Sequence, residues 1–255
     1  MKLVKLSKFT VIAATFGFAA LSQASGQHSG AHWGYKGANG PENWSRLAEE
    51  FKVCGQGTRQ SPINVAEENA IHADLALSIN YKPVEPEIVN NGHTIQVNYA
   101  PGSSINIAGK NYQLLQFHFH TPSENKLGGK SFPMEMHLVH KSKDGKLAVV
   151  AVFIETGSEN QELKAAWEQM PMQVGEHKKI SNSPISAAKL LPKNKQYAQF
   201  KGSLTTPPCS EGVNWVVLKS PIHVSKQQLA KFQKVVGENA RPVQPLNDRF
   251  VLAKH

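Results

Sequence analysis

The sequence predicts one mainly β domain with a few short helices. Three observations point there: short runs rich in β-branched and aromatic residues fill positions 75–155, turn pairs separate them, and segments with helical spacing are few. The first 24 residues stand apart from this domain. Lys2, Lys5 and Lys8 open the chain, residues 9–21 are apolar, and Ser22-Gln23-Ala24 places small residues where a signal peptidase cuts. Residues 1–24 therefore read as a signal peptide. Their apolar run is shorter than the roughly 20 residues a membrane span needs, so no stable insertion is expected after cleavage. Residues 25–255 carry no internal repeat or linker and read as a single domain in the periplasm or secreted.

Within that domain, strand runs fall at 88–99, 104–107, 113–120, 135–140 and 147–154. Asn91-Gly92, Pro101-Gly102, Gly109-Lys110, Gly128-Gly129 and Asp144-Gly145 mark turns, and the last joins two apolar runs as a hairpin. Residues 159–170 space Leu163, Ala166, Trp167 and Met170 as one helical face. Residues 225–236 do the same with Leu229, Phe232 and Val236, behind Ser225 as N-cap.

Composition narrows the function. Charged residues are 18% of the chain, against about 25% for an average globular protein, and no period of three or seven appears. Disordered, collagenous and coiled-coil classes are excluded. The net charge of +9 is spread over scattered lysines such as Lys178-Lys179, with no nucleic-acid motif beside them. Export places Cys54 and Cys209 in an oxidising compartment, where two thiols become one disulfide.

The chemistry concentrates in Gln116-Phe117-His118-Phe119-His120 and Glu135-Met136-His137-Leu138-Val139-His140. Side chains alternate along a strand, so Gln116, His118 and His120 share one face, and Glu135, His137 and Val139 share another. If the two strands are neighbours, three imidazoles converge. Three histidines plus an open position is the donor set of catalytic zinc. Gln116 and Glu135 each lie two residues before a ligand, on its face, and can accept from its second ring nitrogen. His140 faces the other way and reads as a core residue. The pattern alone leaves a cupin-type barrel open, since those folds also carry two histidines at this spacing.

At these residues the chain resembles the α-class carbonic anhydrases of exported bacterial type. The resemblance rests on the following stretches: His32-Trp33-Gly34-Tyr35, Gln60-Ser61-Pro62-Ile63, Asn91-Gly92-His93, residues 116–124 and 135–140, Gly202-Ser203-Leu204-Thr205-Thr206-Pro207-Pro208-Cys209, Asn214-Trp215, and Arg241-Pro242-Val243-Gln244-Pro245-Leu246. It implies a twisted, mostly antiparallel central sheet of about ten strands with few peripheral helices. It also implies zinc-dependent, reversible hydration of carbon dioxide to bicarbonate and a proton, by attack of hydroxide held on one zinc per chain. His118, His120 and His137 would be the ligands. Thr205 would be the gatekeeper, oriented by Glu124, and His93 the proton shuttle. Val139, Val149, Leu204, Thr206 and Trp215 would meet substrate, and Tyr35, Asn91 and Gln96 would order the water chain. The resemblance suggests cis peptides before Pro62 and Pro208, and it allows a homodimer. A cupin-type barrel does not explain the Thr-Thr-Pro-Pro segment, and an inactive binding relative would be expected to lack a ligand histidine. Two departures stand out: Asn125 where the family commonly has His, and Phe200 where it often has Tyr. Both are expected to remove a polar partner from behind Glu124 and Thr205.

Overall fold

The structure, a computed structural model, describes residues 32–254; the expected signal peptide lies outside the described residues. The strand runs become the middle of one sheet built from β1 (Glu87–Asn90), β2 (Ile95–Asn98), β3 (Ser104–Ile107), β4 (Lys110–His120), β5 (Met134–Lys141), β6 (Leu147–Thr156), β7 (Tyr197–Ser203) and β8 (Glu211–Val224). Its order is β1-β2-β4-β5-β6-β8-β7. His177–Lys179 adds to β1, Leu252–Ala253 and then Ile71–His72 add beyond β7, and Leu77–Asn80 joins through β3. That makes twelve strands in this sheet among the described residues, where about ten were expected. Neighbours are antiparallel except β6 with β8 and Leu252–Ala253 with Ile71–His72.

The parallel pair requires a long crossover, and residues 157–210 supply it with α1 (Gln161–Glu168) and β7. β7 and β8 escaped the strand pattern for a physical reason. Val213 to Leu218 are buried on both faces, so no alternation marks them. Pro221 also argues against a strand, yet it lies where the β6 register jumps from Leu218 to Ile222 and no ladder hydrogen bond is required of it.

Strand parity divides the core in two. Ala148, Val150, Val152 and Ile154 of β6 pack with Phe117, Phe119, Met136 and Leu138 on one face. Val149, Ala151 and Phe153 pack with Trp215, Val217 and Phe200 on the other, which is the histidine face. The large core lies under the helices. Phe119 meets Trp167 of α1 edge-on at 4.9 Å, and Phe232 of α2 (Lys226–Val236) at 6.0 Å. α2 starts behind Ser225 as the sequence predicts, while α1 is shorter than the 159–170 run and starts behind Asn160. Ser225 and Gln228 form a reciprocal capping box, and Asn160 Oδ1 accepts from Leu163 N. The Asp144-Gly145 hairpin forms with Gly145 at φ +81°, a conformation glycine adopts without strain.

The segment before the sheet wraps the site from outside. Trp44 is fully buried, and its Nε1 donates to the carbonyls of Gly34 and Asn39. Beside it, Cys54 and Cys209 form the expected disulfide across 155 residues. The peptides before Pro62 and Pro208 are cis, and so is the one before Pro122. No helix among the described residues is long and apolar enough to cross a membrane.

Candidate active site

The condition set by the sequence is met: β4 and β5 are neighbours, and His118 lies directly opposite His137. His120 lies opposite Glu135, and Gln116 opposite Val139. Directly opposed residues share a face, so both triplets point into one cleft. A single group of His118, His120 and His137 results, with one ring nitrogen of each lying within 4.8 Å of the others.

The second ring nitrogens fix the tautomers. His118 Nδ1 donates to Gln116 Oε1 at 2.9 Å, and His120 Nδ1 donates to the Asn239 carbonyl at 2.8 Å. A carbonyl only accepts, so the lone pair of each ring sits on Nε2. His120 Nε2 is buried with no protein partner, the signature of a donor atom built for something else. Glu135 Oε1 lies 3.1 Å from His137 Nε2, though out of line for a hydrogen bond, which leaves Nδ1 of this third ring for the cleft. Burial, then the neighbouring imidazoles, hold His118 and His137 well below the usual imidazole pKa, and burial lowers His120 too. Neutral rings with free lone pairs are what a metal ion requires. The donor set therefore fits a zinc ion with an open coordination position.

Glu135 is fully buried, and Asn125 is its partner. Asn125 N donates to Oε2 at 2.8 Å and Asn125 Nδ2 to Oε1 at 2.7 Å, while Asn125 Oδ1 accepts from Ile63 N at 3.1 Å. Asn125 thus serves Glu135 and Ile63, not Glu124 or Thr205, and its amide is short enough to bridge the carboxylate and the backbone at once. Phe200 does bring no polar atom, and it stacks on Trp215 at 5.9 Å and 10°.

Glu124 sits behind the histidines, 3.5 Å from His120 Nδ1. Burial pushes its carboxyl up to about 8, opposed by the Arg241 backbone N–H, which donates at 2.8 Å, and by the Thr205 hydroxyl. Its Oε2 is buried without a hydrogen bond of normal geometry. The loop carrying Thr205 and Thr206 is tied down at several points. Leu204 N donates to Ser210 O, Cys209 N to Thr206 O, and Gln60 Nε2 to Cys209 O.

Apolar side chains floor the cleft in a cross-strand row. Val139 lies opposite Val149, Val149 beside Trp215, and Trp215 opposite Phe200. Leu204 packs against the same cluster. Trp215 also stands edge-on to His137 at 4.9 Å.

His93 is half-buried at the turn between β1 and β2, and it stacks face to face on Trp33 at 3.7 Å. Burial, then His32, lower its pKa. Asn91 Oδ1 accepts from His93 N and Thr94 N, so this side chain builds the turn. Tyr35 packs edge-on to Trp33 and Trp44, and burial raises its phenol pKa well above the ordinary value. Gln96 lies opposite His118 on β2.

Sequence reasoning missed Asn239. Its carbonyl orients His120, its Oδ1 accepts from Thr121 N, and its Nδ2 donates to the carbonyls of His93 and Phe119. One signal pointed to such a residue. The position two before His120 is itself a ligand, so the residue that orients His120 had to come from another segment.

A model of the eukaryotic-type carbonic anhydrase family matches residues 39–255. The chain belongs to that family. A carbonic anhydrase of Neisseria gonorrhoeae is 49% identical over 232 residues, covering 90% of each chain. One from Nostoc sp. is 43% identical over 256 residues, covering 98% of this chain and 96% of the other. A solved α-carbonic anhydrase from Thermovibrio ammonificans, in complex with the inhibitor sulfanilamide, superposes with a TM-score of 0.85 at 47% identity, covering 88% of this chain and 99% of that one. The family is one of enzymes that hydrate carbon dioxide, so carbon dioxide and bicarbonate are the substrates to which the cleft is related.

Proposed function

We propose that the protein is an exported carbonic anhydrase that uses one zinc ion per chain for the reversible hydration of carbon dioxide. The observation that carries this reading is the set of three imidazoles, two buried and one half-buried, each with one nitrogen aimed at a common point and the other facing a protein acceptor. His118 and His120 would hold the metal through Nε2 and His137 through Nδ1. Bound zinc supplies the Lewis acidity that makes a nucleophile of water at neutral pH, chemistry for which carbonic anhydrase is the standard example.

The chain's own groups do the rest. Val139, Val149, Leu204 and Trp215 offer carbon dioxide a dry wall, on which an apolar molecule is held weakly and turned over quickly. Thr205 donates its hydroxyl hydrogen bond to Glu124 and so presents lone pairs to the cleft. That direction fixes how an incoming O–H must point. The Arg241 backbone N–H and the Thr205 hydroxyl both favour the ionised form of Glu124, against the push of burial. Thr206 follows in the same turn and would contact bicarbonate. His93 accepts the released proton on its ring and hands it to buffer, with Tyr35, Asn91 and Gln96 ordering the intervening water. The disulfide supports a periplasmic or secreted location.

Stopped-flow carbon dioxide hydration on the oxidised protein, zinc-loaded and zinc-stripped, tests the reading. Metal analysis should return one zinc per chain, and fast hydration should vanish with the metal. A folded protein that holds one zinc and does not exceed the uncatalysed rate would overturn it.

A further inference from the structure

The cleft side of the outer sheet carries a ladder of side chains that ends on a carboxylate, outside the site described above. Gln96 lies opposite His118 and Asn98 opposite Gln116, while Glu87 of β1 lies opposite Asn98. All three therefore stand on the histidine face. Gln96 Nε2 donates to Asn98 Oδ1 at 2.7 Å, and Asn98 Nδ2 donates to Glu87 Oε2 at 2.9 Å. On its far side Glu87 Oε1 lies 3.7 Å from His177 Nδ1, and Lys179 lies opposite Glu87 on the edge strand.

A side-chain amide can turn over and exchange its donor for its acceptor. An ionised carboxylate has no such freedom, because it only accepts. The hydrogen bond from Asn98 lowers the Glu87 pKa, with Lys179 and His177 adding to it, so the terminus stays ionised. Asn98 must then offer its NH₂ to Glu87 and its oxygen to Gln96, and Gln96 must offer its NH₂ to Asn98. With its NH₂ held against Asn98, Gln96 has its carbonyl left to turn to the cleft, and this carbonyl accepts no hydrogen bond from the described residues.

We propose that Glu87 and Asn98 are positioning residues that lock the Gln96 amide so that its carbonyl, and not its NH₂, faces the cleft. A water bound there points one hydrogen at Gln96. Its lone pairs are left for a proton donor deeper in the cleft, and its second hydrogen for the neighbour on the way to His93. This is the polarity that outward proton transfer needs. The assignment rests on the carbonic anhydrase reading for its purpose, though the ladder itself does not.

Three proteins test it: wild type, Glu87→Gln, and the double variant Glu87→Gln/Asn98→Asp. Glu87→Gln removes the fixed acceptor and frees both amides to turn over. It should lower kcat about fivefold, the weight of one hydrogen bond of about 1 kcal/mol, with kcat/KM unchanged. The double variant moves the carboxylate one rung nearer to Gln96 and should restore kcat, although position 87 has lost its charge. In zinc-free protein, NMR of the Gln96 side-chain amide should show protons slowed in solvent exchange in wild type and in the double variant, and not in Glu87→Gln. Wild-type kcat in Glu87→Gln, an unchanged Gln96 amide signal in that variant, or no recovery in the double variant would each overturn the proposal. The amide signal needs no activity, so a failure of the ladder and a failure of the enzymatic reading are told apart.

Discussion

Removing the Cys54–Cys209 bridge should cost stability without touching the chemistry. The bond closes a loop of 155 residues. In the loop-entropy model such a crosslink raises the free energy of the denatured chain by about 5 kcal/mol, an upper figure because unfolded chains keep some structure. The folded state has other ties at the same place. Arg241 Nη2 donates to the Cys54 carbonyl at 2.7 Å, and Gln60 Nε2 donates to the Cys209 carbonyl at 3.1 Å. The Thr205 loop should therefore keep its position in a Cys54→Ala/Cys209→Ala protein. Urea unfolding should show a loss approaching 5 kcal/mol and a larger m-value, because an uncrosslinked denatured chain exposes more surface. For a domain of this size the loss lowers Tm by roughly 10–20 °C. Carbon dioxide hydration below the transition should match wild type. A stability loss under about 1 kcal/mol with an unchanged m-value would refute the denatured-state account. Loss of activity in a natively folded variant would refute the claim that the backbone ties hold the loop.

Three further outcomes are expected. His93→Ala should lower kcat on the order of a hundredfold in dilute buffer, leave kcat/KM intact, and recover with added imidazole; stopped-flow kinetics across buffer concentrations reads all three. Asn125→Ala strips partners from Glu135 Oε1 and Ile63 N, both buried, and should cost about 2–4 kcal/mol in urea unfolding; a cost near zero would mean that neither bond matters. His140 is fully buried, its Nε2 2.8 Å from the Tyr81 hydroxyl and its Nδ1 3.3 Å from the Ala148 carbonyl, and burial lowers its pKa to about 3. Between the ordinary value near 6.5 and that figure the unfolded chain binds the extra proton, so this residue's stabilisation is present above about pH 6.5 and is lost as pH falls. In zinc-free protein, His140→Gln should make stability less steep by about 1.4 kcal/mol per pH unit across that window, and an unchanged slope would refute the assignment.

Much of the site was legible because strand alternation is a local rule. The two-residue spacing of Gln116, His118 and His120 put them on one face, and Glu135, His137 and Val139 likewise. His140 was assigned to the core by the same rule and is there, fully buried. Signals failed where geometry came from afar. β8 is covered on both faces and interrupted by Pro221, so no period reveals it. The partnership of Asn125 with Glu135 follows no local pattern, because strand alternation does not reach the turn that carries Asn125.

The sequence by itself determined the donor types, the face each one takes, the turn residues, the Ser225 helix cap and the one pair of cysteines, because each depends on a few consecutive residues. The tertiary structure alone decided that β4 and β5 lie side by side with His118 opposite His137, which turns two faces into one three-nitrogen site. It also brought Asn239, 119 residues from His120, to set that ring's tautomer, and Arg241, 117 residues from Glu124, to brace the carboxylate. Buried polar groups need partners wherever the chain can supply them, and only the packed fold says which distant segment does so.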